Sequence, residues 1–243
     1  MVDYREPLVA DAARSVVLKL QQLGLESDKD LQAFLSLFTG TRSINRGEDI
    51  VPLGKAPNIL TVLLTGVACR YRNLESGRRQ IFTFHYAGDF CNHGRYTLAQ
   101  LDDPVGAVTD CLVGIIPHED VDRIVAERPQ VRLAFERTTA LEARIFQERV
   151  VNGAQRPALE RIASLICEQV CRLESVGIAG DLIPLTQIDL ADAAGLSVVH
   201  VNRTIQDLRE LGALARNSHS IRVMDKARLM HIAKFDASYL DIR

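Results

Sequence analysis

Apolar positions along the chain recur with two different periods, and the periods divide its 243 residues into blocks. Residues 8–38 carry helical spacing, in VVLKLQQLGL and then LQAFLSLF. A break falls at Glu26-Ser27-Asp28, where Ser27 or Asp28 would cap the second helix. From Thr41 to Ile116 short apolar runs alternate with Gly, Pro and Asn, as in NILTVLLTGVACRYRNLESGRRQIFTFHYAGDF. That texture predicts many short antiparallel strands folded as a sandwich or jelly roll. Within it, Glu75-Ser76-Gly77-Arg78 suits a hairpin turn, because Gly tolerates positive φ. From Pro129 to about Val150 the helical period returns. Val131, Ala134, Thr138, Leu141 and Ile145 alternate three and four apart, and Phe135 and Phe146 widen the stripe. Such a seam either pairs with its copy in a second subunit, which is the favoured expectation, or lies on its own sandwich. Glu148 and Asn152 interrupt it. Asn152-Gly153 is the expected hinge, from backbone permissiveness, and Pro157 suits the first turn of a further helix. The apolar face of that helix is Ile162, Leu165, Ile166, Val170 and Leu173.

The densest local signal is LTQIDLADAAGLSVVHVNRTIQDLRELG, residues 185–212. Thr186 and Asp189 have the spacing of a capping box. Ile188, Leu190 and Ala191 are expected on the buried side of a short helix, which Gly195 ends by adopting a positive φ. Leu196 is expected to fill the angle between the helices. Ser197 then caps a second helix whose buried face is Val201, Ile205 and Leu208, with Thr204 where an aliphatic residue would be more usual. A short supporting helix, a glycine turn and a protruding helix make a helix-turn-helix. The following RELGALARNSHSIRVMD reads as a helix end and two strands turning at Asn217-Ser218, which adds a wing.

The outward face of the second helix carries Val198, Val199, His200, Asn202, Arg203, Gln206 and Arg209. A major groove admits an α-helix, Arg bonds O6 and N7 of guanine, and apolar side chains touch thymine methyls. Ser197 and the helix N-terminus can meet a phosphate. Arg209 and the wing residues His219 and Arg222 are candidate phosphate contacts.

Composition changes this picture little. Lys plus Arg number 29 against 31 Asp plus Glu, a net charge of −2. There is no polybasic coat, but only local potential matters at a contact. No apolar run approaches the ~18–20 residues that span a bilayer, and the N-terminus has no signal-peptide core. The expected location is the cytoplasm, with no membrane partner. There Cys69, Cys91, Cys111, Cys167 and Cys171 are expected to be reduced thiols. Cys167 and Cys171 fit the role of small buried hydrophobes. Nucleophile–base, P-loop and dinucleotide motifs are absent, so the reading is a regulator and not an enzyme. His85, Asp89, Cys91 and His93 are possible ligands and leave open a metal- or haem-binding β-roll sensor. An alternative of a different class is a ligand-binding protein without DNA binding.

The order of parts resembles the cyclic-AMP receptor protein and fumarate–nitrate regulator (CRP/FNR) family of bacterial transcription factors, over roughly residues 28–230. GRRQIFTFHYAGDF (77–90), DDPVGAVTDCLVGIIPHE (102–119) and the 185–214 stretch carry the resemblance. It implies an α+β fold in three parts. A β-roll sensor of the cyclic-nucleotide-binding kind, with N-terminal helices, would occupy 1–128. A dimerisation helix and hinge would occupy 129–152, and a winged helix-turn-helix 153–243. It also implies a homodimer on a pseudo-palindromic operator with half-sites ~34 Å apart. The implied partners are double-stranded DNA, a second copy and RNA polymerase.

Three departures matter. Val198 and Val199 stand where the best-known members carry an Arg and a Glu, and only Arg203 is retained, so the operator is expected to differ at the corresponding bases. Cyclic-nucleotide binders of the family have a Gly-Glu-Leu turn and an Arg-Ser pair. This chain reads GDFCNHGRYTL at the turn and Pro104-Val105 at the pair, with Arg95 as the nearby cation. A buried phosphate without a matching cation is costly, which argues against cyclic AMP. Iron–sulfur members use N-terminal cysteines, and none precedes Cys69. The effector is therefore left unassigned.

Overall fold

In the computed structural model, residues 10–55, 58–93, 100–215 and 221–241 are described. The chain divides into two compact units. The first comprises residues 1–71, 84–142 and 242–243; the second comprises 72–83 and 143–241.

In the first unit, helices α1 (Ala10–Gln22) and α2 (Asp28–Leu35) precede the strands. Ser27 caps α2 by accepting from the Asp30 N–H, as its position before an apolar-periodic run dictates. Strands β1 (Gly40–Ile44), β9 (Cys111–Pro117) and β4 (Ile59–Thr65) form one antiparallel sheet in that order. A second sheet runs β2 (Asp49–Val51), β8 (Val105–Ala107), β5 (Ala68–Asn73) and β6 (Arg79–His85). The short strands β3 (Gly54–Lys55) and β7 (Gln100–Leu101) pair antiparallel as a separate two-stranded sheet.

The two-residue period of β4 shows how this unit is built. Leu60, Val62 and Leu64 join Val16, Leu20 and Phe34 of the helices in one apolar cluster. Leu63, on the other face, joins Ile50, Val51, Val105 and Val113 in a second. A strand buried on both faces reads as a continuous apolar run, and ILTVLLT does. Helix α3 (His118–Glu127) closes the roll with Val121 and Ile124. Its apolar positions are few and it follows a strand directly, so the sequence texture does not announce it.

Helix α4 (Pro129–Gln155) is longer than its seam suggested, and Asn152-Gly153 lies inside it. The break comes at Pro157, the N-cap of α5 (Ala158–Ser175). Val131, Ala134, Thr138, Leu141 and Ile145 are all buried within the single chain. Val131 and Phe135 belong to the same cluster as α1 and α2. The most apolar stripe of α4 thus serves its own subunit, which is the second of the two readings above. The outward row is Ala140, Ala143, Gln147, Val150 and Ala154, also three and four apart. Large aliphatic side chains go where burial is complete, and smaller ones remain outside.

The second unit holds α5, β10 (Leu182–Ile183), α6 (Gln187–Ala194), α7 (Val198–Glu210), β11 (Ile221–Arg222), α8 (Lys226–Ala233) and a 3₁₀ turn at Ala237–Leu240. Helix α5 supplies its core with Ile162, Ile166, Val170 and Leu173. Strands β10 and β11 pair antiparallel, and a bridge joins Leu214 to Val223. Residues 72–83, the outer part of the β5–β6 hairpin, belong to this unit as well. The hairpin turn is closed by Leu74 N–H to Arg78 O at 2.8 Å, with Gly77 at φ 78°. No helix among the described residues is long and apolar enough to cross a membrane.

Candidate nucleic-acid interface

Helix α6 starts with a complete capping box. The Thr186 hydroxyl accepts from the Asp189 N–H at 3.2 Å, and Asp189 Oδ2 accepts from the Thr186 N–H at 2.9 Å. The other carboxylate oxygen, Oδ1, accepts from Arg79 Nη2 at 2.9 Å, and Arg79 Nε donates to Asp192 at 2.8 Å. A guanidinium from the hairpin thus holds the first helix of the pair by two charge-assisted hydrogen bonds. Nothing local in the sequence signals this, since the partners lie 110 and 113 residues apart.

Burial of Asp189 rotates α6 so that Asp189, Leu190 and Ala191 face inward. Ile188 therefore points to solvent, 56% exposed, and is not part of the buried side assigned to it from the sequence. The expectation failed because hydrophobicity alone took precedence over the cap, whose geometry sets the phase of so short a helix. Gly195 ends α6 at φ 67°, as expected, and Leu196 is half-buried in the angle.

Ser197 caps α7 by accepting from the His200 N–H at 3.2 Å. Val201, Ile205 and Leu208 are fully buried. Thr204 is buried too, and its hydroxyl donates to His200 O at 3.0 Å, so the polar atom is satisfied inside the helix. With that face anchored, Ser197, Val198, Val199, His200, Asn202, Arg203 and Gln206 are all exposed, Val199 at 81%. Arg209 differs: it is half-buried, one helical turn beyond the open face. His219 and Arg95, like the Asn217-Ser218 turn, lie outside the described residues.

Gln187 belongs to this face although the sequence reading passed over it. Its Oε1 accepts from Asn202 Nδ2 at 2.9 Å, linking the start of α6 to α7. Its signal was its place: the first helical residue after a cap, where an amide stands at a positive helix end. Arg222 of the wing strand pairs with Asp181 at 2.8 Å, so part of its charge is already compensated.

In the first unit, all four possible metal ligands, His85, Asp89, Cys91 and His93, are buried. Asp89 pairs with the buried Lys19 at 2.9 Å and accepts from the Tyr86 N–H. Gly88 is needed beside them, because a Cβ there would come 2.5 Å from Lys19 Cβ. His93 Nε2 lies 3.5 Å from Glu142. Among the described residues no three His, Cys, Asp or Glu side chains gather to hold a metal ion. The five cysteines are free thiols. Burial pushes the Cys167 thiol up to about 12 and raises Cys91 further, so both are unreactive near neutrality.

An exposed helix held by a capped partner and a glycine turn, followed by a bridge between Leu214 and Val223, defines a helix-turn-helix DNA-binding protein. Residues 160–232 match the Crp-like helix-turn-helix domain, and residues 41–128 match the cyclic nucleotide-binding domain. The chain is 32% identical over 176 residues to the nitrogen fixation regulation protein FixK of Bradyrhizobium diazoefficiens, covering 70% of this chain and 72% of that one. It is 28% identical to the transcriptional activator protein FnrL of Cereibacter sphaeroides, over 86% and 87% of the two chains. The solved structure of FixK2 from Bradyrhizobium japonicum superimposes with a TM-score of 0.70, at 24% identity, covering 79% of this chain and 96% of that one. The chain belongs to the CRP/FNR family of transcriptional regulators, and it is a sequence-specific DNA-binding regulator of that type.

Proposed function

We propose that the protein acts as a homodimer on a two-fold-symmetric operator, with α7 of each copy in the major groove. The observation that carries this reading is the division of α7 into a fully buried stripe and an exposed face with its own N-cap. Arg203 is suited to a guanine edge, and Val198 and Val199 to thymine methyls. His200 and Gln206 border them. Ser197, at the N-terminus of α7, is suited to a phosphate, as is Gln187 at the start of α6. Asn202 serves first to orient Gln187. Arg209 and Arg222 flank the reading face as phosphate contacts, and His219 is assigned with them from the sequence.

The second copy is assigned to the outward row of α4, Ala140, Ala143, Gln147, Val150 and Ala154. Small residues allow two helices to approach closely, and Val150 is 69% exposed in the single chain. RNA polymerase is the partner that the relatives named as transcriptional activators suggest.

Cyclic AMP is not the proposed effector. Where the phosphate-binding pair would stand, the chain has Pro104 and a buried Val105, neither of which can donate a hydrogen bond from its side chain. Asp89, in the turn that would meet the sugar, is engaged by Lys19.

Selection of duplexes from a random pool with the full-length protein tests the reading. A two-fold-symmetric consensus is expected, with affinity falling steeply between 50 and 200 mM salt, on the order of 10³-fold for six phosphate contacts. Recovery of no consensus, or salt-independent binding, would rule the reading out.

A further inference from the structure

After α8 the chain does not simply end. Lys234 adopts φ 48°, the one positive φ outside glycine among the described residues, and closes the helix with Phe235 N–H on Met230 O and its own N–H on His231 O. That paired closure turns the tail back. Asp236 then caps the 3₁₀ turn at Ser238, and Phe235 and Tyr239 meet edge to face with centroids 5.9 Å apart. Leu240 is buried. The tail lies beyond residue 232, where the match to the helix-turn-helix family stops.

The tail is bonded to two helices at once. Arg144 of α4 donates to the Ser238 carbonyl at 2.6 Å and to the Asp241 carbonyl. Tyr239 donates to Glu168 Oε2 of α5 at 3.1 Å. Glu168, almost fully buried, also receives Arg149 of α4 at 3.0 Å and lies 3.6 Å from Arg172 of its own helix. The carboxylate is therefore shared by the long helix, the first helix of the reading unit and the tail. Arg156, between those helices, also joins them, reaching Glu148 of α4 at 2.8 Å and Ser164 of α5 at 3.1 Å. The 143–155 stretch of α4, α5 and the tail all lie within the second unit, so this corner is built inside it.

We propose that residues 235–241 form a strap that sets the α4–α5 angle, with Arg144 and Tyr239 as positioning residues for reading two half-sites at a defined separation. The inference rests on the dimeric DNA-binding reading above. Loosening the strap leaves each α7 intact but widens the range of separations the pair can span. A strap that only stabilised the fold would lower all affinities together.

The test uses the full chain, its Tyr239→Phe and Arg144→Ala variants, and the double variant. The probes are the duplex recovered by selection, the same duplex lengthened or shortened by one base pair between half-sites, and a single half-site. Melting and circular dichroism establish that each variant is folded. In the wild type, the native spacing should bind best. In the double variant, the preference for native over altered spacing should fall by at least about fivefold with single half-site binding unchanged. Backbone amides of 143–156 should exchange faster in Tyr239→Phe. Unchanged spacing preference in a folded double variant, or equal loss on every duplex including the half-site, would overturn the strap. Failure of the wild type to bind any duplex would instead strike the DNA-binding reading on which it rests.

Discussion

At the residue scale, function rests on a few side chains whose freedom is set by their neighbours. Arg203 is exposed on α7 and aimed away from the buried stripe. Arg203→Ala should cost ~1–3 kcal/mol on the selected operator and relax preference at one base position, read by anisotropy against a panel of single-base variants. Equal loss on every sequence would move Arg203 to a phosphate. Glu168 makes a different prediction. Burial alone would raise its carboxyl, but Arg149, Arg172 and the hydrogen bonds from Arg149 and Tyr239 hold it below the ordinary glutamate range. A depressed folded value contributes stability that is present above the unfolded value and disappears as pH falls through the folded one. Glu168→Gln removes the negative charge that faces the buried Arg149 and Arg172 and should cost ~3–5 kcal/mol at neutral pH. Denaturant unfolding from pH 7 to pH 3 should show the two proteins converging in acid, once the wild-type carboxyl is protonated. A gap that stays constant down to pH 3 would contradict this.

At the element scale, the helix-turn-helix was legible in the sequence because its determinants are local. Thr186, Asp189, Gly195 and Ser197 are caps and a turn, and each acts within four residues of itself. Gly195 gives the cleanest test. A Cβ there meets nothing nearer than 4.0 Å, so only the positive φ opposes substitution. Gly195→Ala should therefore lower stability by ~1–2 kcal/mol without a packing defect, measured by chemical denaturation. A loss of ~4 kcal/mol would mean that the turn is sterically closed. Ile188 was misplaced for the complementary reason: its hydrophobicity is a weak vote against a phase already set by a buried capping carboxylate. Helices α3 and α8 escaped the sequence reading; α3 follows a strand directly and has no side-chain cap to mark its start. The clamp from Arg79 to α6 was invisible, since a charged residue near a hairpin turn reads as solvated until its partners are placed.

At the scale of the whole molecule, the proposed homodimer turns on which face of α4 a second copy would meet. Two rows on this helix have the three-and-four alternation. The larger aliphatic row is buried within the chain, and the row through Ala143 and Val150 is the exposed one to which the proposal assigns the second copy. Val150→Glu should raise the dimer dissociation constant at least tenfold, roughly 1.4 kcal/mol or more, as measured by sedimentation. The same change in the exposed Arg132, away from that row, should have little effect. An unchanged dimer in Val150→Glu would send the second copy elsewhere.

The amino-acid sequence by itself determined the strand-rich block, the long helix, the capped helix pair and the outward face of α7. Each follows from a period, a cap or a backbone preference that acts over a few residues. Only the tertiary structure decided which stripe of α4 is interior, which helix Arg79 holds, and that the tail turns back onto Arg144 and Glu168. Those outcomes depend on competition between distant groups for a limited interior and for buried charge partners, and separation along the chain carries no record of that competition.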